Sequence, residues 1–369
     1  MRFDAIVVGA GLAGATAARI LAEREKKVLV IEQRNHVGGN CHDYKNEYGI
    51  TVHSYGPHIF RTGNKNVWDF LNRFTKFNYY QHRVISYVDG RFVPFPINRD
   101  TICQLFGIDI PSEEVENFLK KEVERSKFEF PPKNLEDFLI SQIGERLYEA
   151  FFKNYTMKQW NRPPKELLPE TVARIQIRSN RDDRYFTDRY QGIPIYGYTK
   201  MVENMLDHDN ISIMLNVDYS DLRDAIDAEL TVYTGQLDRF FGYKYGKLEY
   251  RSLNFELATY DLEYYQPVAT VNYPNDYDWT RITEYKHFLG ERSSKTTVCF
   301  EYPRTEGEPY YIVLTNENME KRNKYMEEVK ELEKTGKYIF VGRLGEGKYY
   351  SMDQVVESSA SKIMNYKFR

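Results

Sequence analysis

The chain is short of cysteine, of excess charge and of uninterrupted apolar runs, and each shortage removes a class of protein. Its 369 residues hold three cysteines, Cys41, Cys103 and Cys299, too few and too scattered for a zinc pattern or a disulfide framework. The odd count points to a reducing compartment, so a cytoplasmic location is expected. Lys and Arg number 51 against 54 Asp and Glu, a net charge of -3, which leaves no overall basic field for nucleic acid or anionic lipid. An anionic ligand must be met locally, by particular arginines. The run from Ala5 to Ala22 approaches membrane-span length, but Thr16, Arg19 and three glycines interrupt it, Asp4 precedes it and no small-residue cleavage site follows. Neither a signal peptide nor a membrane helix is expected.

What is present is the length for two or three domains and, at 41% hydrophobic residues, the means to bury their cores. The outlier is aromatic, with 31 Tyr and 22 Phe. Tyrosine offers a ring to stack on and a hydroxyl to bond with, which suits a large polar ligand. Residues 3–8 read as a buried parallel strand, Gly11 to Glu25 carries apolar residues at helical spacing, and Val28 to Ile31 is a second strand ending in Glu32. Between the first strand and the helix sits Gly9-Ala10-Gly11-Leu12-Ala13-Gly14. In that β-α-β context the glycines permit a tight turn, close approach of a pyrophosphate to main-chain N–H groups and close helix–strand packing, while Glu32 can accept from an adenosine ribose. The pattern predicts dinucleotide binding, and the carboxylate argues against a 2′-phosphate.

Further on, Tyr79 to Phe95 alternates around Val88-Asp89-Gly90-Arg91, a hairpin signal. From Arg99 to about Glu170 the period is helical, over 113–125, 134–143 and 145–160, with Pro111, Pro131-Pro132 and Pro163-Pro164 as boundaries. Runs at 211–217, 229–234, 248–260, 266–273, 280–288 and 296–302 read as strands of a mixed or antiparallel sheet. Glu317 to Lys334 reads as a charged helix, and Tyr338 to Gly342 as another buried strand. A helix beginning near Ser351 follows, with Ser351 and Gln354 as a capping box.

Arg34 and Gly38-Gly39-Asn40 follow Glu32 directly, and this run resembles the start of two-domain flavoproteins of the amine-oxidase and glutathione-reductase type, where the cofactor is FAD. The strand ending in Gly342-Arg343 resembles their second flavin contact. The resemblance sharpens at Tyr55-Gly56-Pro57-His58-Ile59-Phe60, Phe95-Pro96-Ile97-Asn98, Asn154-Tyr155-Thr156-Met157-Lys158-Gln159-Trp160, Arg184-Tyr185-Phe186, Thr280-Arg281-Ile282, Pro309-Tyr310-Tyr311 and Gly342-Arg343-Leu344-Gly345. In this order these segments resemble the bacterial UDP-galactopyranose mutase family, across nearly the whole chain.

That resemblance implies an α/β fold: a Rossmann-like FAD-binding domain, discontinuous over 1–78, 192–244 and 312–369, a helical insertion domain at 98–170, and an antiparallel or mixed sheet domain from 79–97, 171–191 and 245–311. It implies a flavin-dependent isomerase converting UDP-galactopyranose to UDP-galactofuranose without net redox, through an adduct between the sugar and N5 of reduced flavin. An external reductant such as NAD(P)H, no metal and a homodimer go with it.

Carried over residue by residue, Arg174 and Arg281 match the family's two diphosphate arginines, whose forks suit phosphate, with Arg174 on a loop that closes over substrate. Arg251 matches a third basic contact. Tyr185, Tyr311 and Tyr349 match tyrosines bonded to the diphosphate, Phe151, Tyr155, Thr156 and Trp160 match the uridine pocket, and Asn272 joins the substrate set. His58 matches a histidine beside the flavin and stands with the two arginines as catalytic. The implied cofactor set is Gly9, Gly11, Leu12, Gly14, Glu32, Gln33, Arg34, Gly39, Asn40, Ile59, Tyr219, Arg343 and Met352. Spacing alone would make these arginines surface charges, the helix aromatics packing and the histidine a structural residue.

Two departures stand out. The family's run after Ile59-Phe60 ends in His-Thr where this chain has Arg61-Thr62, and the family places an acid where this chain has Ser351. Both shift the balance toward positive charge near the sugar. Arg61 has five donors and suits an N-acetyl carbonyl, so UDP-N-acetylgalactosamine stands beside UDP-galactose as a substrate; equally, Arg61 can simply pair with a nearby acid. Two other readings stay open: an FAD-dependent oxidoreductase of the amine-oxidase type, and a non-enzymatic binding module like the GDP-dissociation inhibitors.

Overall fold

A computed structural model of the chain describes residues 3–172 and 177–368. Two sheets organise it. The first is parallel and five-stranded, in the order Tyr338–Phe340, Leu230–Tyr233, Ala5–Val8, Val28–Ile31, Ile211–Met214. Ala5–Val8, Val28–Ile31 and Leu230–Tyr233 are buried throughout, as continuous apolar runs must be when both faces of a sheet are covered. Helix Leu12–Glu23, rich in alanine, lies close against this sheet and against helix Met352–Asn365. Because Ala5–Val8 is central, the turn at Gly9 opens at the carboxyl ends of three neighbouring strands, where α/β sheets bind ligands.

The second sheet has seven strands, ordered Tyr311–Ile312, Tyr250–Tyr260, Thr296–Arg304, Arg281–Glu284, Thr270–Asn272, Val84–Val88, Arg91–Phe95. All its pairings are antiparallel except that of Thr270–Asn272 with Val84–Val88, so the mixed sheet expected from the sequence is present. The Asp89-Gly90 turn has both residues at positive φ, 50° and 75°, which the right-handed twist of a tight hairpin demands. In register, Ser86 faces Asn272, Asn272 faces Arg281, and Arg281 faces Glu301. Register partners share a face, so one row of polar side chains crosses four strands.

Helices Arg99–Phe106, Val115–Glu124 and Leu135–Ile143 pack over one end of that sheet. The expected single helix 145–160 is broken: Glu145–Tyr148 and Asn154–Trp160 are α-helical, and the turn between them, Glu149–Lys153, is π-helical. Such a widened turn re-aims side chains and recurs at functional sites. Here it carries Phe151 and Phe152, both buried. Among the described residues, no helix is long and apolar enough to cross a membrane.

Candidate functional site

At the carboxyl edge of the parallel sheet lies a cavity of about 430 Å³. Gly9 enters it at φ 101°, and a Cβ there would sit 2.2 Å from Thr234 Oγ1. At Gly14 a Cβ would fall 1.9 Å from the Gly9 carbonyl oxygen; this glycine sets helix-to-strand distance and does not itself line the cavity. Glu32 is 5% exposed, and its carboxylate accepts from the main-chain N–H groups of Ala10 at 2.8 Å and Arg34 at 2.9 Å. Each of its oxygens keeps a lone pair for a ribose hydroxyl. Arg34 donates to Asn40 Oδ1 and to Glu308, both at 3.1 Å, and stacks on Tyr55. A glycine turn at a helix N-terminus, an acid at the end of the second strand and a cleft lined from Glu32 to Arg343 and Met352 fit a dinucleotide.

Of the cofactor residues expected from sequence, Gly9, Gly11, Leu12, Glu32, Gln33, Arg34, Gly39, Asn40, Tyr219, Arg343 and Met352 line this cleft. Ile59 does not; it borders the second chamber instead.

That second chamber, about 330 Å³, lies under the polar row of the seven-stranded sheet. Asn40, His58, Arg343 and Met352 line both cavities, so the two meet there. Phe151, Tyr155, Thr156 and Trp160 form the helical wall, Tyr185, Tyr311 and Tyr349 supply phenols, and Asn272 and Arg281 come from the sheet. Arg281 Nη2 donates to Tyr155 Oη at 2.7 Å, and its Nε lies 3.4 Å from Glu301. Burial works against the Arg281 charge, but the Tyr155 phenol and the Glu301 carboxyl hold its pKa above the usual range. Glu301 is pushed up by burial, with Arg281 opposing. Burial also pushes the Tyr185 phenol up to about 12, so it remains a donor at neutral pH.

His58 is held to a pKa of about 3 by burial and the neighbouring His53. Its ring Nδ1 lies 2.9 Å from the Gly56 carbonyl, and its main-chain N–H donates to His53 Nδ1 at 3.0 Å. At neutral pH it offers a hydrogen bond and no charge. Arg61 lines the chamber too. Its Nη1 contacts both Asp188 oxygens, at 3.1 and 3.0 Å, and its plane lies over Phe186. The Ser351 hydroxyl is 2.5 Å from Asp353 Oδ1, so a carboxylate stands two residues beyond the position where one was missing.

Arg174 falls outside the described residues. Arg251 is buried and donates from Nε to the Gln159 carbonyl at 2.9 Å, but it borders a separate recess beside Lys158 and Arg304, not the chamber. Gln159, which accepts that bond, itself lines the chamber. Sequence reasoning missed Glu301, His82, Thr270 and Ser86, all of which line the chamber. Glu301 had a signal, a lone charge in the apolar run Val298-Cys299-Phe300. The others depend on strand register, which local sequence does not reveal.

Three comparisons bear on this arrangement. The family model described as UDP-galactopyranose mutase matches residues 150–349, and one for an NAD(P)-binding Rossmann-like domain matches residues 7–74. A probable UDP-galactopyranose mutase of Klebsiella pneumoniae is 40% identical, over 95% of this chain and 91% of its own. A dTDP-fucopyranose mutase of Escherichia coli is 35% identical, over 98% of this chain and 99% of its own. Among solved structures, a reduced UDP-galactopyranose mutase superposes with a TM-score of 0.78 at 17% identity, covering 98% of this chain and 94% of that one, a likeness of fold.

Proposed function

The chain belongs to the UDP-galactopyranose mutase family, and from that premise we propose that it interconverts the pyranose and furanose forms of UDP-galactose over an FAD held in the dinucleotide cleft. One observation carries the reading: the dinucleotide cleft and the polar chamber meet at Asn40, His58, Arg343 and Met352. A flavin whose adenosine end lies by Glu32 would bring its ring to that junction, against a sugar in the chamber. When bound and reduced by an external donor such as NAD(P)H, it supplies a nucleophilic ring nitrogen with no net redox change. The two curated relatives named above, each aligned over at least 95% of the chain, are named as sugar mutases, which favours isomerisation over the oxidoreductase and binding-module readings.

The protein's own part is positioning and charge. As the sugar–phosphate bond breaks, charge grows on the departing UDP. Arg281, bonded to Tyr155 and paired with Glu301, turns its remaining N–H donors to it, with Tyr185 as a further donor. Phe151, Thr156 and Trp160 hold the uridine end of the substrate. His58 stays neutral and orients at the junction rather than trading protons with solvent. Arg174 completes the diphosphate site by its motif match, and the functional form is a cytoplasmic homodimer.

Arg61 favours a second reading, acceptance of UDP-N-acetylgalactosamine. Asp188 occupies only Nη1, which leaves Nε and Nη2 for an acetamido oxygen. The test is incubation of the cofactor-loaded, reduced protein with UDP-galactose, UDP-N-acetylgalactosamine and dTDP-fucose, with furanose products read by NMR. Furanose from UDP-galactose supports the proposal; turnover of dTDP-fucose alone refutes the assigned substrate.

A further inference from the structure

The back of the sugar chamber contains a histidine that the diphosphate and cofactor roles leave unused. His82 is 4% exposed, just ahead of strand Val84–Val88, and lines the chamber beside Ser86, Thr270 and Asn272. Its carbonyl accepts from the Tyr185 N–H at 2.7 Å, which fixes its main chain to a chamber wall. Its ring packs edge to face on Tyr185 and stacks on Phe186, with centroids 5.5 and 6.2 Å away.

The protons on this ring can be assigned. Nδ1 lies 3.0 Å from the Tyr80 hydroxyl. Burial raises the Tyr80 phenol, so it keeps its proton. The half-buried phenol needs an acceptor for that proton, and among the described residues Nδ1 is the one within its reach. Burial, with the Arg281 charge nearby, holds the imidazole to a pKa of about 3, so it is neutral and carries one proton. That proton then sits on Nε2, which has no protein partner among the described residues. Nearby, Thr270 Oγ1 is buried and unpartnered as well. The chamber thus holds unspent polar groups on the side away from the dinucleotide cleft. Such a site rewards a ligand hydroxyl and penalises its absence.

We propose that His82, held in its Nε2–H tautomer by Tyr80, is a specificity residue that donates to one hydroxyl oxygen of the bound hexose. This rests on the nucleotide-sugar reading above. Tyr80 is the positioning residue; it fixes which nitrogen carries the proton.

The test is calorimetric binding to the oxidised, FAD-loaded protein of UDP, UDP-galactose and its 2-, 3-, 4- and 6-deoxy analogues. The expected result for His82→Phe, which keeps a ring and loses the donor, is UDP-galactose binding weakened by about 10- to 100-fold. UDP affinity should be unchanged, and the wild-type penalty for one deoxy analogue should vanish. Tyr80→Phe, a milder change that guards against misfolding, should shrink the same penalty. If every analogue keeps its wild-type penalty in both variants, or if UDP weakens as much as UDP-galactose, His82 does not read the sugar. Absence of furanose product in the wild type, with this binding pattern intact, would instead refute the isomerase reading and leave His82 standing.

Discussion

In the cofactor cleft the contacts on offer come from main chain and from what glycines leave out, whereas in the sugar chamber they come from side chains brought together across strands. The cleft's glycine turn and its acid come from one contiguous β-α-β segment whose spacing is its geometry, and Tyr219, Arg343 and Met352 complete the lining. The chamber draws on the strands around Ser86, Asn272, Arg281 and Glu301 and on the π-helical turn at Phe151. A cleft of the first kind is broken by adding atoms, and a chamber of the second kind by removing them.

The largest effect is expected from an addition. Gly14→Val places a side chain onto the Gly9 carbonyl, where even a Cβ would be 1.9 Å away. Strain of that size in a buried turn should cost about 4 kcal/mol or more. Soluble yield, melting temperature and bound flavin should fall together, and a variant that keeps full flavin content would break the account of this turn.

Next is a removal. Arg281→Ala should lower kcat by about 30- to 1,000-fold, about 2–4 kcal/mol for a charge-assisted phosphate contact in a water-poor site. Flavin content should stay normal. Glu301, already raised by burial, can take up a proton when its partner goes, so the fold survives. Arg281→Lys should recover part of the rate. Steady-state kinetics with flavin absorbance check all three points, and near-normal kcat in the alanine variant would remove the diphosphate role.

The two regions share a third sensitivity, to acid. His53, His58 and His82 are each held to a pKa of about 3, mainly by burial, against about 6.5 in an unfolded chain. Because the unfolded state binds the extra protons, their contribution is complete above about pH 6.5 and is lost as pH falls toward 3. At pH 5 the loss is about 2 kcal/mol for each histidine. Urea midpoints should therefore drop steeply between pH 7 and 5, before most carboxylates titrate. A flat profile would mean these rings are not buried and neutral.

The smallest effect sharpens the chamber alone. Arg61→His should lower the ratio of kcat/KM for UDP-N-acetylgalactosamine over UDP-galactose by about tenfold, roughly 1.4 kcal/mol. An unchanged ratio would leave Arg61 its ion pair with Asp188 and its stacking on Phe186.

The same contrast explains what could be read in advance. Glu32 and the glycine turn are legible because the residues that touch each other are also near in sequence, and the structure places Gly9, Gly11, Glu32 and Arg34 along one cleft. In the chamber, Tyr155, Trp160 and Arg281 were reached only through family motifs. His82 and Thr270 were not reached at all, because what makes them neighbours is the parallel pairing of Thr270 with Val84. Arg251 carried a motif yet borders a different recess, although its register partner Tyr311 lines the chamber. The helix 145–160 read correctly as helical, but its π-helical turn left no periodic signature.

The central claim, that two cavities meet so that a cofactor can isomerise a sugar without consuming electrons, is tested most directly by counting reductant against product. The FAD-loaded protein is reduced once with dithionite, freed of excess and given UDP-galactose in large molar excess without oxygen. The account predicts many furanose molecules per protein, a flavin still reduced at the end, and no product from the oxidised protein. One product per reducing equivalent, or equal turnover by the oxidised protein, would contradict it.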